Sequence, residues 1–120
     1  MLKVKDIIKR QIHPYIPNFS VAEFFPRKHD YAIIIPTLNE GLRLQRQLEK
    51  MKGMNLKGDI VISDAPSHDN STNPDTLKKL GVNALIKLTE EGGVSSSLRA
   101  AFCYCLNKNY QGIIIYENRD

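Results

Sequence analysis

The sequence predicts an open α/β sandwich built on a mostly parallel sheet. Four short apolar runs rich in branched residues recur along the chain, a composition typical of strands buried on both faces. Segments whose apolar residues follow helical spacing lie between these runs. Strands that alternate with helices imply right-handed crossovers and parallel pairing. Ligands of such sheets bind at the carboxyl ends of the strands.

Residues 1–30 differ from the rest and are predicted to form a leader segment wrapped on the main domain, residues 31–120. An amphipathic helix is predicted at its start from the apolar residues Leu2, Val4, Ile7, Ile8 and Ile12. Any longer helix is interrupted by Pro14, Pro17 and Pro26. The residues expected to anchor the leader by packing are the aromatics Tyr15, Phe19, Phe24 and Phe25.

The main domain follows a regular order of strands and helices. The predicted strands are YAIIIP, DIVISD, NALIKL and GIIIY. The predicted helices are Glu40–Lys52, Asn73–Leu80 and Ser95–Asn107. The first helix carries apolar residues at helical spacing and ends at Gly53, and the second has Pro74 in its first turn and ends at Gly81.

Polar residues follow the first two strands. After the first strand, Pro36 ends the run, Thr37 and Asn39 offer polar side chains, and Glu40 opens the helix. After the second strand, Asp64 stands at the strand tip, where it is predicted to accept hydrogen bonds from a base or ribose. The residues expected to fix this second loop and cap the next helix are Ser67, Asp69, Asn70 and Ser71.

The segment TEEGGVSSSLRAA follows the third strand. Gly92 and Gly93 lead into a helix whose free N–H groups suit a phosphate, although the segment matches neither of the common glycine-rich phosphate motifs. Arg99, one turn into this helix, is placed to reach a diphosphate.

Together these segments resemble the family 2, dolichyl-phosphate mannose synthase-like glycosyltransferases, over Tyr31–Asp120. AIIIPTLNE is similar to the family's first strand and nucleotide-contacting turn. ISDAPSHDNS is similar to its Asp-x-x-Ser-x-Asp loop, with Asp64, Ser67 and Asp69 in matching places. GGVSSSLRAAF resembles the glycine-rich start of the helix before the metal motif, with Arg99 at the basic position.

The resemblance implies a Rossmann-like, glycosyltransferase A-type fold whose four strands lie in the order 3-2-1-4. It also implies a nucleotide-diphosphate sugar donor and inverting transfer to a hydroxyl or a membrane-associated polyprenyl-phosphate acceptor. The residues predicted to bind the nucleotide are Pro36, Thr37, Asn39, Glu40, Asp64, Ser67, Gly93 and Arg99.

The family's fourth strand ends in Asp-x-Asp, which holds magnesium or manganese against the donor diphosphate. Here Glu117 takes the first position and Arg119 the second, and arginine cannot ligate a cation. Either Asp120 substitutes through a shifted turn, or Arg119 pairs with the phosphates, or the site binds no metal. The predicted metal ligands are thus Glu117 and Asp120, and the altered motif argues against the cation.

In related enzymes the acceptor-binding half and the catalytic base lie beyond the position of Asp120. The chain is therefore expected to cover only the donor-binding half, to contribute no catalytic residue and to be inactive alone. Self-association is expected through the edge of the fourth strand.

Composition limits the other functional classes. The net charge of +4 suits an anionic partner, but basic residues do not alternate with aromatic ones, so no nucleic acid is expected. Cys103 and Cys105 are two residues apart on a predicted helix, which disfavours a disulfide and favours a reducing, cytoplasmic location. No apolar run approaches the roughly 20 residues of a membrane span, and no signal peptide is predicted.

Two alternatives stay open. IVISDAP resembles the acceptor-aspartate strand of response-regulator receiver domains, which also need an acidic pair after the first strand. That position holds residues 36–39, Pro-Thr-Leu-Asn, with only Glu40 acidic. The altered metal motif and the short chain also fit a non-catalytic nucleotide-binding or interaction module.

Overall fold

The structure, a computed structural model, describes Leu2–Lys3 and residues 16–117. Its strands are β1 (Leu2–Lys3), β2 (Phe19–Glu23), β3 (Tyr31–Thr37), β4 (Asp59–Asp64), β5 (Ala84–Leu88) and β6 (Gly112–Ile115). Its helices are α1 (Leu42–Lys52), α2 (Pro74–Lys79) and α3 (Val94–Asn107). The described strands form one sheet in the order β1-β6-β3-β4-β5-β2.

The four strands that the sequence predicts lie side by side at the centre of this sheet. β3 pairs in parallel with both β4 and β6, and β4 pairs in parallel with β5. The order of the whole sheet differs from the predicted four-strand order because two antiparallel strands flank it. β2 pairs with β5, and β1 pairs with β6. The fold is therefore a mixed α/β sandwich with a mostly parallel sheet, compatible with a Rossmann-like fold.

The leader segment supplies both antiparallel strands. Leu2 and Lys3 were predicted to begin a helix but form β1, and the remainder of that predicted helix lies outside the described residues, as does Tyr15. Phe19 and Phe24 pack against the core, as their aromatic character predicts. The leader thus completes the sheet rather than only covering it.

The two faces of the sheet bury separate apolar clusters, which explains why the central strands are apolar throughout. On one face Ile34 packs in a cluster with Ala100 and Ala101 of α3. On the other face Ile35 packs in a cluster with Leu44 of α1 and Leu77 of α2. The sheet therefore lies between α3 on one side and α1 and α2 on the other.

Both cysteines are free thiols on α3. Burial raises the pKa of the Cys105 thiol to about 12, so it stays protonated at neutral pH and packs as a small apolar group. Ile114 and Ile115 of β6 are exposed. The predicted self-association through this strand stays a prediction.

The strand order reverses at β3. From β3 the chain proceeds outward through β4 and β5, and then returns across the sheet to β6 on the other side of β3. In open α/β sheets the crevice outside the carboxyl ends of the strands at such a reversal is the usual ligand site. This places the candidate site at the ends of β3 and β6.

Candidate functional site

Asp64, the last residue of β4, is 0% exposed. Its Oδ1 accepts hydrogen bonds from the hydroxyls of Thr37 at 2.7 Å and Ser67 at 2.6 Å. Its Oδ2 accepts from the N–H of Ser67 at 2.7 Å and from the hydroxyl of Thr72 at 3.4 Å. One carboxylate therefore joins the end of β3, the end of β4 and the loop that follows β4.

This placement changes the role that the sequence assigned to Asp64. A direct contact with a base or ribose requires an accessible oxygen, whereas both carboxylate oxygens lie beneath the loop and accept from protein donors. The geometry instead makes Asp64 a positioning residue for Thr37 and Ser67. The same burial closes Asp64 to a phosphoryl donor, which argues against the receiver-domain hypothesis.

The turn after β3 is bonded to the loop after β4. The backbone N–H of Asn39 donates to the hydroxyl of Ser67 at 2.8 Å, and its side-chain oxygen accepts from the N–H of His68 at 2.7 Å. Asn39 has a φ of 48°, a left-handed conformation that asparagine tolerates better than most residues. The N–H of Gly41, with a φ of 59°, donates to Asp69 at 3.2 Å. The two loops therefore form one connected platform.

Pro36 and Glu40, both predicted to contact the nucleotide, lie near the end of β3 and in the turn that follows it. The sequence predicted that Pro36 ends the strand, but β3 continues through Thr37. The carbonyl of Ile34 accepts a hydrogen bond from Tyr116, directly after β6, so the nitrogen of Pro36, two residues on, faces the same side. The N–H that proline lacks therefore falls where the pairing with β6 ends. Glu40 accepts from the N–H of Leu38 at 3.2 Å and closes the turn.

The start of α3 carries two glycines with different requirements. A Cβ on Gly92 would lie 2.9 Å from the Cβ of Ser96, whereas a Cβ on Gly93 would meet nothing within 4 Å. The close approach therefore requires glycine at position 92, which is not in the predicted nucleotide-binding set, and not at position 93, which is. Arg99 donates to the hydroxyls of Ser95 at 2.6 Å and Ser96 at 3.2 Å. This arrangement places its guanidinium alongside the first turn of the helix.

Two contacts bring this third loop to the platform. The hydroxyl of Ser63 in β4 donates to the carbonyl of Ser97 at 2.7 Å, which holds the first turn of α3 against the end of the sheet. Nε2 of His68 lies 3.6 Å from a carboxylate oxygen of Glu91, and both side chains are largely exposed. The three predicted loops therefore meet at one edge of the molecule.

A cleft of about 410 Å³ opens between the start of α1 and the loop after β4. It is lined by Gly41, Leu42, Gln45, Asp69, Asn70, Ser71, Asn73 and Thr76. Hydrogen bonds from the hydroxyl and N–H of Ser71 lower the pKa of Asp69, so its carboxylate is ionised at neutral pH. No side chain of the predicted nucleotide-binding set lines this cleft. No sequence pattern pointed to Gln45 or Thr76, because both lie inside helices, where a polar residue usually marks only a solvated face.

Two further side chains are exposed to solvent at the point where the strand order reverses. Leu38 follows β3 and Tyr116 follows β6, and they are 47% and 38% exposed. The N–H of Tyr116 donates to the carbonyl of Ile34 at 2.8 Å, which extends the pairing of these strands by one hydrogen bond. Sequence reasoning did not select Tyr116, although its position as the last residue of the predicted fourth strand, GIIIY, was a usable signal.

Of the two predicted metal ligands, the described part of the chain includes Glu117 alone. Glu117 is exposed, and Asp120 lies outside the described residues. Among the described residues no group of three or more His, Cys, Asp or Glu side chains is arranged to hold a metal ion. One carboxylate is a small part of a magnesium or manganese site, so we derive no step through a cation.

Comparison of the chain with protein-family models, with curated proteins and with solved structures gave no match. Within the described ranges no helix is both long enough and apolar enough to cross a membrane. The assignment of function therefore depends on the sequence motifs and on the geometry of the three loops.

Proposed function

We propose that this chain binds a nucleotide-diphosphate sugar and forms the donor-binding half of a glycosyltransferase with the A-type fold, similar to the dolichyl-phosphate mannose synthase-like family. One observation carries the proposal: PTLNE and SDAPSHDNS lie at the carboxyl ends of adjacent parallel strands and are bonded to each other through Asn39 and Asp64. The joined loops lie at the carboxyl edge of the sheet, beside the strand reversal where ligands of such folds bind.

The nucleoside belongs at the ends of β3 and β6 in this proposal. Leu38 and Tyr116 present apolar surface to solvent there, and an aromatic ring is a suitable stacking partner for a base. The turn at residues 38–41 forms the floor of this position, since Asn39 and Gly41 are both fixed to the loop after β4. Asp64 supports the floor from below without touching the ligand.

The diphosphate belongs at the first turn of α3. The N-cap residue, Gly93, offers no side chain to the first N–H groups of the helix, and these groups favour an anion. Arg99 lies beside the same turn and supplies a cation with several donors. The formal net charge of +4 adds a general attraction for a phosphorylated ligand.

The test is a titration of the isotope-labelled chain with uridine and guanosine diphosphates, followed by backbone amide shifts, with pyrophosphate as the control for charge alone. We expect saturable shifts at residues 37–41, 67–69 and 93–99, and tighter binding of one nucleotide than of pyrophosphate. Amide shifts confined to residues 41–45 and 69–76 would indicate that the nucleoside binds in the cleft beside α1 instead.

Matched variants separate the phosphate contact from general charge. Arg99→Gln should weaken nucleotide binding about tenfold, equivalent to about 1.4 kcal/mol. Arg46→Gln removes the same charge from an exposed position on α1 and should leave affinity unchanged. Equal affinity for nucleotide and pyrophosphate, or equal effects of the two variants, would refute the proposal.

A further inference from the structure

A second cleft lies at the opposite end of the sheet, where β4 begins. It occupies about 240 Å³ between the Phe25–His29 part of the leader, the carboxyl end of α1 and the turn that precedes β4. We propose that this cleft binds a small aromatic carboxylate, that is, a single ring bearing one anionic group. The site is separate from the proposed nucleotide site and does not depend on it.

The base of the cleft is a buried carboxylate that already accepts hydrogen bonds from other parts of the protein. Asp59, at 1% exposure, accepts hydrogen bonds from the hydroxyl of Tyr110 at 2.6 Å and from the N–H of Lys28 at 2.9 Å. Its other oxygen lies 2.8 Å from Nδ1 of His29. Burial opposes ionisation of Asp59, but these hydrogen bonds outweigh it and lower the pKa of the carboxyl.

The same contact orients the imidazole. With Nδ1 of His29 held by Asp59, Nε2 is left without a hydrogen-bond partner among the described residues, and the ring lines the cleft while remaining 37% exposed. A ring fixed in this way forms a planar part of the cleft wall and loses no further conformational freedom when a ligand packs against it.

The remaining charged groups of the lining are cations. Lys28 lies with its Nζ 5.4 Å from the centre of the Phe25 ring, and Lys52 donates to the carbonyl of Lys79 at 3.1 Å. Both lysines line the cleft, and the acidic residue in its lining, Asp59, is already hydrogen-bonded to Tyr110. The cleft therefore offers positive charge to a ligand, which selects an anion.

The walls are apolar and partly open to solvent. They are formed by the side chains of Phe25, Met51, Met54, Leu56, Ile60 and Leu80. Met54 is 53% exposed, and methionine sulfur packs favourably against aromatic rings. The volume of the cleft is below the roughly 300 Å³ at which pockets for drug-sized ligands begin, so a ligand with a single ring fits it better than a larger molecule.

The two sites lie at opposite ends of β4. Asp59 and Asp64 are its first and last residues, and five steps along a strand span about 16 Å at ~3.3 Å per residue. Both sites can therefore be occupied together, and a ligand at one need not displace a ligand at the other.

The test is an amide-shift titration of the full chain with benzoate, using benzamide and acetate as controls for ring and charge. We expect saturable shifts at residues 25–29, 51–60 and 80–83 with benzoate, at an affinity about tenfold above either control. Lys52→Gln should reduce benzoate affinity about fivefold, whereas Lys50→Gln, an exposed lysine of the same helix outside the cleft, should leave it unchanged.

Lys28→Gln provides a second variant with the same expected loss, in case Lys52→Gln also disturbs the end of α1. Benzamide binding as tightly as benzoate would overturn the assignment of an anion. Benzoate shifts elsewhere in the chain, or equal effects of Lys52→Gln and Lys50→Gln, would overturn the site itself.

Discussion

Two buried carboxylates, Asp59 and Asp64, lie at the two ends of β4. Asp64 ends the strand and opens the Asp-x-x-Ser-x-Asp segment that sequence reasoning selected, whereas Asp59 begins the strand and belongs to no motif. In the structure both are almost fully buried, and both tie neighbouring segments to the sheet. Position after a strand therefore predicts that a residue lies at the ligand edge, but not whether its side chain faces the ligand or the protein.

Replacement of Asp64 by alanine tests its role as a positioning residue. The change leaves the hydroxyls of Thr37, Ser67 and Thr72 without their shared acceptor, so we expect a loss of about 3 kcal/mol in the free energy of unfolding. Urea denaturation measures this loss, with the exposed Glu90→Ala as the control. A variant that keeps its stability but loses nucleotide affinity would instead restore the direct contact that the sequence predicted.

Asp59 gives a prediction of pH dependence. Its pKa in the folded state lies below the value of about 3.9 expected in the unfolded chain. The stabilisation is therefore fully present only well above the unfolded pKa, from about pH 5 upward, and is lost as the pH falls through the folded pKa. We expect the urea midpoint of the wild type to fall more steeply between about pH 5 and about pH 3 than that of Asp59→Asn, which should already be less stable at neutral pH. Parallel curves for the two proteins would contradict this.

At the scale of elements, burial decided which predictions succeeded. Of the four central strands, β3, β4 and β5 are buried almost throughout and β6 is buried in its first half. All four are continuous apolar runs, so the sequence predicted them with small errors at their ends. β2 was missed because it is an edge strand whose residues are mostly exposed or half-buried, without strict alternation. The start of α1 shifted from Glu40 to Leu42 because Asn39 and Gly41 adopt positive φ values that a helix excludes.

The contribution of the α2 N-cap to the stability of the fold can be measured. The side-chain oxygen of Asn73 accepts from the N–H of Thr76 at 3.2 Å. Asn73→Ala should therefore lower the free energy of unfolding by about 1 kcal/mol, while Asn73→Asp should retain most of it because aspartate caps equally well. Thermal unfolding followed by circular dichroism measures both. Equal losses in the two variants would show that the cap is not the source of the stability.

At the scale of the whole molecule, the topology explains why the candidate site was predictable in outline. The carboxyl ends of β3, β4 and β5 meet at one edge, so segments far apart in sequence come together without any need for motif recognition. The depth of each side chain depends on packing and hydrogen bonds that no local pattern encodes. This is why the sequence placed Asp64 at this edge without indicating that its carboxylate is buried beneath the loop, and why Tyr116 was overlooked.

The whole molecule also bears on metal dependence. A cation that bridges the protein and a diphosphate needs carboxylates at the phosphate end of the site, and the sequence offers Glu117 and Asp120 with Arg119 between them. In the proposed arrangement the first turn of α3 and Arg99 already supply positive potential to the diphosphate. A divalent ion would add little to such a site.

We therefore expect magnesium and manganese to bind weakly or not at all, and nucleotide binding to be insensitive to chelator. Calorimetric titration with uridine and guanosine diphosphates, first with manganese and then with excess chelator, measures this directly. Glu117→Gln should leave affinity unchanged in both conditions, because the carboxylate makes no essential contact through a cation. A loss of tenfold or more on chelation, about 1.4 kcal/mol, would mean that Glu117 and Asp120 form a working metal site. The altered motif would then be a variant of the family's Asp-x-Asp, with glutamate as one ligand and the shifted aspartate as the other.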